Sequence, residues 1–166
     1  TLLAVGKTEL KPWKDMEKVG SEVSGIGYYT VKVNIPENWE DSQGAILKIG
    51  STNGHSAAVY VNGKKAKAFD FDALAVDISD LLSSGENEIR VEVASSLNNR
   101  LKARGYYTKG NEFSRQLADN ANNAMEGSAD NQDSQGVGML FDIQAVVRDY
   151  GMTGEVKLIR YIRKEI

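Results

Sequence analysis

Val59-Tyr60-Val61-Asn62-Gly63-Lys64 is the stretch whose reading decides the fold. Apolar and outward-facing positions alternate in it and then run into Asn-Gly. That dipeptide favours the type I′ turn of a two-residue β-hairpin, because both central residues must tolerate positive φ. By itself the stretch predicts one hairpin, with Val59 and Val61 facing inward and Lys64 to Phe69 as the return strand. Further on, Asp77-Ile78-Ser79-Asp80-Leu81-Leu82 reads as a short helical turn with Asp77 or Ser79 as its cap. Gly85-Glu86-Asn87 then turns the chain into Ile89, Val91 and Val93, a second alternating strand.

The same period of two appears elsewhere. From Gly27 to Ile35, Tyr29, Val31, Val33 and Ile35 share one face, and Tyr28, Thr30, Lys32 and Asn34 the other. Pro36 stops that strand. Ala45, Leu47 and Ile49 alternate next, followed by a loop at Ser51–Ser56. Met139, Phe141, Ile143, Ala145 and Val147 resume the pattern, and Val156, Leu158 and Arg160 begin a last strand. Turn signals every 8–12 residues or so are the mark of a sandwich or barrel. The interval from Ser95 to Gly136 breaks the rhythm. It is polar and rich in Gly and Asn, with a weak helical stripe over Gln116–Met125, and it reads as one long loop insertion. No internal repeat is present. The expectation is a single all-β domain over residues 1–166.

Composition narrows the function classes. At 166 residues the chain is long enough for one good core. The net charge of −3 and a sequence pI near 5.3 give no basic footprint for nucleic acid. The densest basic cluster, Arg160 to Lys164, reads as a solvated strand. No apolar run approaches the ~18 residues of a membrane span. Thr1–Val5 is too short for a signal peptide, and a start at Thr reads as an excised piece of a longer chain. Without cysteine there is neither disulfide, thiol nucleophile nor Cys-based zinc site. His55 is the one histidine, so a multi-histidine metal site is excluded.

In order, Val59-x-Val61-Asn62-Gly63-Lys64, Asp77-Ile78-x-x-Leu81-Leu82 and Gly85-x-Asn87-x-Ile89-x-Val91-x-Val93 resemble the galactose-binding-like β-sandwich, as found in family 2 glycoside hydrolases. Leu10-Lys11-Pro12-Trp13 and Val23-Ser24-Gly25-Ile26-Gly27-Tyr28-Tyr29-Thr30 look like the start of such domains in large bacterial glycoside hydrolases. Ser95-Ser96-Leu97-Asn98-Asn99-Arg100-Leu101 and Tyr150-Gly151-Met152-Thr153-Gly154-Glu155 look like their end, most of all in the C-terminal sandwich of rhamnosidase-like enzymes. The resemblance covers most of the chain outside roughly 102–135. It implies a jelly-roll sandwich, often with a structural calcium, that needs no cofactor for chemistry. In some members the domain binds carbohydrate; in others it packs on a catalytic domain of the same parent chain. It further implies a bacterial parent that is extracellular, at the cell surface or periplasmic; the charge and the lack of a long apolar run lead to the expectation of no nucleic-acid or membrane partner.

Strand parity says where a sugar could sit. Counting turns from Gly27 places the loops Val19–Ile26, Ser51–Ser56 and Ser95–Gly136 at one end and the Asn62-Gly63 turn at the other. Pyranose rings offer an apolar face to an aromatic platform, and hydroxyls to planar amide, carboxylate or guanidinium groups. Tyr28, Asn53, His55, Asn98, Asn99, Arg100, Tyr106 and Tyr107 are the candidates at that end. Each has a plainer reading: Asn98-Asn99 can hold a turn through side chain–backbone bonds, His55 can be an ordinary loop residue, and Tyr106-Tyr107 can pack the long loop. Trp13, after Pro12, reads as a core plug. Asp70/Asp72, Asp77/Asp80 and Asp130/Asp133 form no catalytic constellation. Among 23 acidic residues some pair always meets the ~5–10 Å of a glycosidase pair. Asp130-Asn131-Gln132-Asp133 offers oxygen ligands without EF-hand spacing and stays open between a calcium loop and a polar loop. Two functions follow: a non-catalytic carbohydrate-binding accessory module, or a β-domain that buttresses a catalytic neighbour.

Overall fold

The computed structural model describes residues 2–39, 43–66, 73–106, 112, 116 and 146–163. It divides into two compact units, Thr1–Ser96 with Asp149–Ile166, and Leu97–Arg148. The described residues are all-β with almost no helix. Strands β1 (Ile26–Ile35), β2 (Gln43–Lys48), β3 (Ser56–Val61), β4 (Lys64–Lys65), β5 (Ala75–Asp77), β6 (Gly85–Ala94) and β7 (Lys157–Ile162) all belong to the first unit. They form a four-stranded sheet ordered β1-β6-β3-β4 and a three-stranded sheet ordered β5-β2-β7, with every pair antiparallel.

One hydrophobic core draws on both sheets. Ala45 and Leu47 of β2, Val59 and Val61 of β3, Val76 of β5, and Ile89, Val91 and Val93 of β6 are buried in it. These are the inward positions that the period of two selects. Each large side chain removed from water stabilises the fold by about 1.5–3 kcal/mol. The Asn62-Gly63 turn is as expected: φ is 50° at Asn62 and 78° at Gly63, both left-handed. The helical turn narrows to a 3-10 turn at Ser79–Leu81. Its N-cap is Ile78, without a side-chain capping bond, rather than Asp77 or Ser79; Asp77 instead closes a local turn just before it, with the Ser79 amide donating to Asp77 Oδ1 at 2.9 Å.

Three expectations change. Val31 shares its face with Tyr29 and Val33 yet is 51% exposed, because among the described residues β1 is an edge strand with a sheet neighbour on one side only. Within the described residues the return strand after the hairpin is two residues long, with Ala66 turning into the core beyond it; residues 67–69 lie outside the description. Third, the polar interval after Ser95 opens with a helix, α1 (Asn98–Ala103). Leu101, Lys102 and Ala103 are good helix formers. Backbone bonds from Leu101 to Leu97 and from Arg104 to Arg100 close it. The stripe at Gln116–Met125 (apart from Gln116), the run at Met139–Val147 up to Ala145, the pair Asp70/Asp72, the loop Asp130–Asp133 and Tyr107 lie outside the described residues.

A polar stitch crosses the three-stranded sheet. Ser79 Oγ accepts from the Ala45 amide at 2.9 Å and donates to Asp77 Oδ1. The Tyr161 hydroxyl donates to Asp77 Oδ2, and Arg163 pairs with Asp80 at 2.7 Å. Tyr161 reaches across only because Gly44 has no side chain; a Cβ there would sit 2.3 Å from the tyrosine ring. Burial pushes the Asp77 carboxyl up, but bonds from Ser79 and Tyr161 and the charge of Arg163 outweigh it and hold Asp77 below its ordinary value of 3.8. In acid the unfolded chain therefore takes up this proton before the native one does. The contribution of Asp77 is complete above its unfolded value and is lost as pH falls through the lower folded value. Asp77→Asn is expected to destabilise the protein most near neutrality. The gap to the parent protein should shrink in urea titrations run toward pH 3, and a gap independent of pH would refute the linkage.

Candidate functional site

Ala94 pairs with both Ile26 and Ser56, so the start of β1, the start of β3 and the end of β6 meet at one end of the four-stranded sheet. There the Gly25 amide donates to Ser95 Oγ at 2.9 Å and the Ser95 amide to the Gly25 carbonyl at 2.8 Å. The expectation that the loops before β1 and before β3 share an end with Ser95 holds within this unit.

A buried aromatic group supports that end. Pro12 leads into a 3-10 turn, Trp13–Asp15, which drives Trp13 inward to 6% exposure. Trp13 Nε1 donates to the Tyr29 hydroxyl at 2.7 Å, and the same oxygen accepts from the Met152 amide at 2.9 Å. The Trp13 amide donates to the Tyr150 carbonyl at 3.0 Å, and the two rings meet edge to face at 5.9 Å. Tyr150 is 1% exposed, and its hydroxyl is hydrogen-bonded to Ser96 Oγ at 2.8 Å. Trp13 is thus a core plug, set directly beneath the candidate end.

Loop 51–55 is clamped on this support. Ser51 and Thr153 exchange backbone bonds at 2.8 and 2.9 Å. Asn53 adopts φ 54°, a conformation Asn tolerates better than most residues, and its Nδ2 donates to the Gly151 carbonyl at 3.0 Å. The half-buried His55 ring stands edge-on to Tyr150 at 4.8 Å, with Nδ1 3.3 Å from the Thr52 carbonyl. A bond to that carbonyl requires a proton on Nδ1, since a carbonyl oxygen only accepts. The loop thus carries one imidazole beside Tyr150 and one side-chain amide held by Gly151. Among the described residues no three His, Asp or Glu side chains converge as a metal site requires.

Tyr28 lies elsewhere, on the outer face of β1, 55% exposed and with the Arg90 guanidinium 6.0 Å from its ring centroid. Asn98, Asn99, Arg100 and Tyr106 belong to the second unit. Asn99 is buried, and it copies a strand pairing: Nδ2 donates to the Arg148 carbonyl at 2.8 Å while Oδ1 accepts the Arg148 amide at 2.9 Å. Asn98 Nδ2 donates to the Val146 carbonyl at 3.0 Å. These two residues tie the ends of the 97–148 unit together through bonds to residues 48 and 49 positions away, not through the local turn of their plainer reading. Asn99, at 3% exposure, is no contact for a ligand from solvent. Arg100 and Tyr106 are exposed, the latter by 63%.

Sequence reasoning missed Tyr150 and Ser96 as site supports, although both fall in the motifs quoted for the family resemblance. It also missed Tyr60, Arg90 and Glu92. Their outward parity was legible, but the register that brings β1, β6 and β3 side by side was not.

No family model matches the chain, and no curated protein matches it. Solved structures do. A rhamnosidase from Novosphingobium sp. PP1Y is similar over 92% of this chain and 12% of its own, at 21% identity and a TM-score of 0.59. A β-D-glucuronidase from Dictyoglomus thermophilum is similar over 49% of this chain and 14% of its own, at 27% identity and a TM-score of 0.39. A β-glucuronidase from an uncultured Clostridium sp. gives 48% and 14%, 29% identity and 0.38. The likeness to the first is one of fold, and the chain spans 12% of that rhamnosidase's length.

Proposed function

We propose that this chain is a non-catalytic carbohydrate-binding accessory module, a galactose-binding-like jelly-roll sandwich, of a larger bacterial glycoside hydrolase. The observation that carries the reading is the fold shared, over nearly the whole chain, with a small fraction of a rhamnosidase. Such a module raises the effective concentration of its parent's catalytic domain on a glycan. The reading places the parent outside the cytoplasm, where polysaccharides are met. His55 and Asn53 on their clamped loop are the candidate contacts of the first unit, and Arg100, Tyr106 and Tyr107, by sequence, those of the second.

The test is affinity electrophoresis of the 166-residue protein through gels cast with neutral polysaccharides (galactomannan, xyloglucan, arabinogalactan). It is run with calcium and again in EDTA to include the calcium the family resemblance brings. Retardation in at least one gel, weakened by His55→Ala or Tyr106→Ala, is expected. Free migration in every gel would sink the reading.

A second reading, a buttress for a catalytic neighbour, is favoured by one observation. The outer face of the three-stranded sheet sets Ile46 directly beside Ile159, which is 44% exposed.

A further inference from the structure

The outer face of the four-stranded sheet carries a row of side chains that the loop end does not use. Val59, Val61, Ile89, Val91 and Val93 point into the core. By alternation Ala58, Tyr60, Arg90, Glu92 and Ala94 point out. Register aligns Tyr28, Glu92 and Ala58 on one rung, and Thr30, Arg90 and Tyr60 on the next. The Arg90 guanidinium stands 4.7 Å from the Tyr60 ring centroid and 6.0 Å from that of Tyr28, so it is flanked by two aromatic rings. Its Nη2 lies 3.1 Å from Glu92 Oε1. Arg90 Nε is buried without a hydrogen-bond partner, so the outward donors of this side chain are its terminal nitrogens. Ser56, Ala58 and Ala94 have short side chains and leave the sheet low beside the row.

The charge pattern selects among ligands. Arg90 is matched by Glu92, and Lys32 is paired with Glu86 at 2.8 Å. Glu88 stands on the Lys32 rung. A polyanion would meet these carboxylates; a neutral ligand meets alternating donors and acceptors. Vicinal sugar hydroxyls need one donor and one acceptor side by side, which a guanidinium–carboxylate couple supplies. The apolar faces of pyranose rings need exposed aromatic carbon, which Tyr28 and Tyr60 supply.

We propose that this face is a second carbohydrate-contact surface, for a neutral glycan chain, with Tyr28 and Tyr60 as platforms and the Arg90–Glu92 couple as hydroxyl clamp. It rests on the carbohydrate-binding reading above and extends it from the loop end to the sheet. The experiment uses the whole chain and the same galactomannan, xyloglucan and arabinogalactan gels, with polygalacturonate as a polyanionic probe. Tyr28→Ala, Tyr60→Ala and Arg90→Ala are compared with His55→Ala, each checked for an unchanged unfolding midpoint; Tyr28→Ala, on an exposed edge, is the variant least able to disturb folding. In a gel that retards the parent protein, loss of a platform or of Arg90 is expected to weaken affinity about 10-fold or more, the scale of an interface anchor. Retardation unchanged in all three sheet variants overturns this proposal and leaves the carbohydrate-binding reading standing. Free migration of the parent protein in all neutral gels overturns both. Retardation by polygalacturonate alone overturns the neutral ligand. Sedimentation as a dimer that Tyr28→Ala converts to monomer, with gel mobility unchanged, assigns the face to a second copy of the chain and overturns the glycan assignment.

Discussion

Gly151→Ala is expected to destabilise the protein by about 2–5 kcal/mol, from two additive causes. Gly151 has φ 93°, where an L side chain costs about 1–2 kcal/mol. The added Cβ would also lie 2.3 Å from Trp13 Nε1 and 2.6 Å from the Tyr29 hydroxyl. Neither neighbour is a flexible tip: Trp13 is buried, and the Tyr29 oxygen holds both the indole N–H and the Met152 amide. Overpacking of this kind adds about 1–3 kcal/mol. Gly54→Ala is the matched control. Its φ is 74°, but nothing lies within 4 Å of the new atom, so only the conformational cost remains. Urea unfolding of both variants measures the difference. Equal losses would show that the Trp13 contact carries no weight. Because Asn53 is bonded to the Gly151 carbonyl, Gly151→Ala is also expected to loosen loop 51–55 and weaken any ligand it holds.

Asn87→Ala is the second large loss, at about 2–4 kcal/mol. Asn87 is fully buried, and its amide is saturated. Oδ1 accepts from the Ser83 amide at 2.9 Å, from Ser83 Oγ at 3.3 Å and from Asn62 Nδ2 at 2.8 Å. Nδ2 donates to the Ser83 carbonyl at 2.7 Å and to the Gly85 carbonyl at 2.9 Å. Truncation orphans several of these partners at once, each costing about 1–3 kcal/mol if it stays unsatisfied. Asn62 also accepts the Glu88 amide at 3.0 Å, so the two asparagines lock the hairpin turn to the start of β6. A double-mutant cycle with Asn62→Ala should show a coupling of about 0.5–3 kcal/mol. Strict additivity, or a loss from Asn87→Ala below about 0.5 kcal/mol, would contradict the lock.

Legibility in the sequence followed the range of the interactions. The turn at Asn62-Gly63 and the inward parity of Val59, Val61, Ile89, Val91 and Val93 depend on near neighbours in the chain, and both appear in the structure. The candidate site was legible in part. Strand parity alone sets the end at which residues 51–55 lie, beside the starts of β1 and β3 and the end of β6. Tyr28, a loop-end candidate by parity, stands on a sheet face, because a side chain within a strand answers to its cross-strand partners. Asn99 was a candidate contact and is a buried tie, because its partner at Arg148 is distant in sequence.

The hairpin motif shows where the boundary lies. The sequence by itself determined that Val-Tyr-Val-Asn-Gly-Lys turns back on itself, since positive φ at two adjacent residues is a local steric requirement met by Asn and Gly. Only the tertiary structure decided what Asn62 is for: its amide reaches Asn87, twenty-five positions on. The same division runs through the aromatic residues. Local pattern turned Tyr28 and Tyr60 outward, but their flanking of Arg90 was decided by strand order β1-β6-β3, as non-local pairing selects neighbours by total burial rather than by adjacent residues.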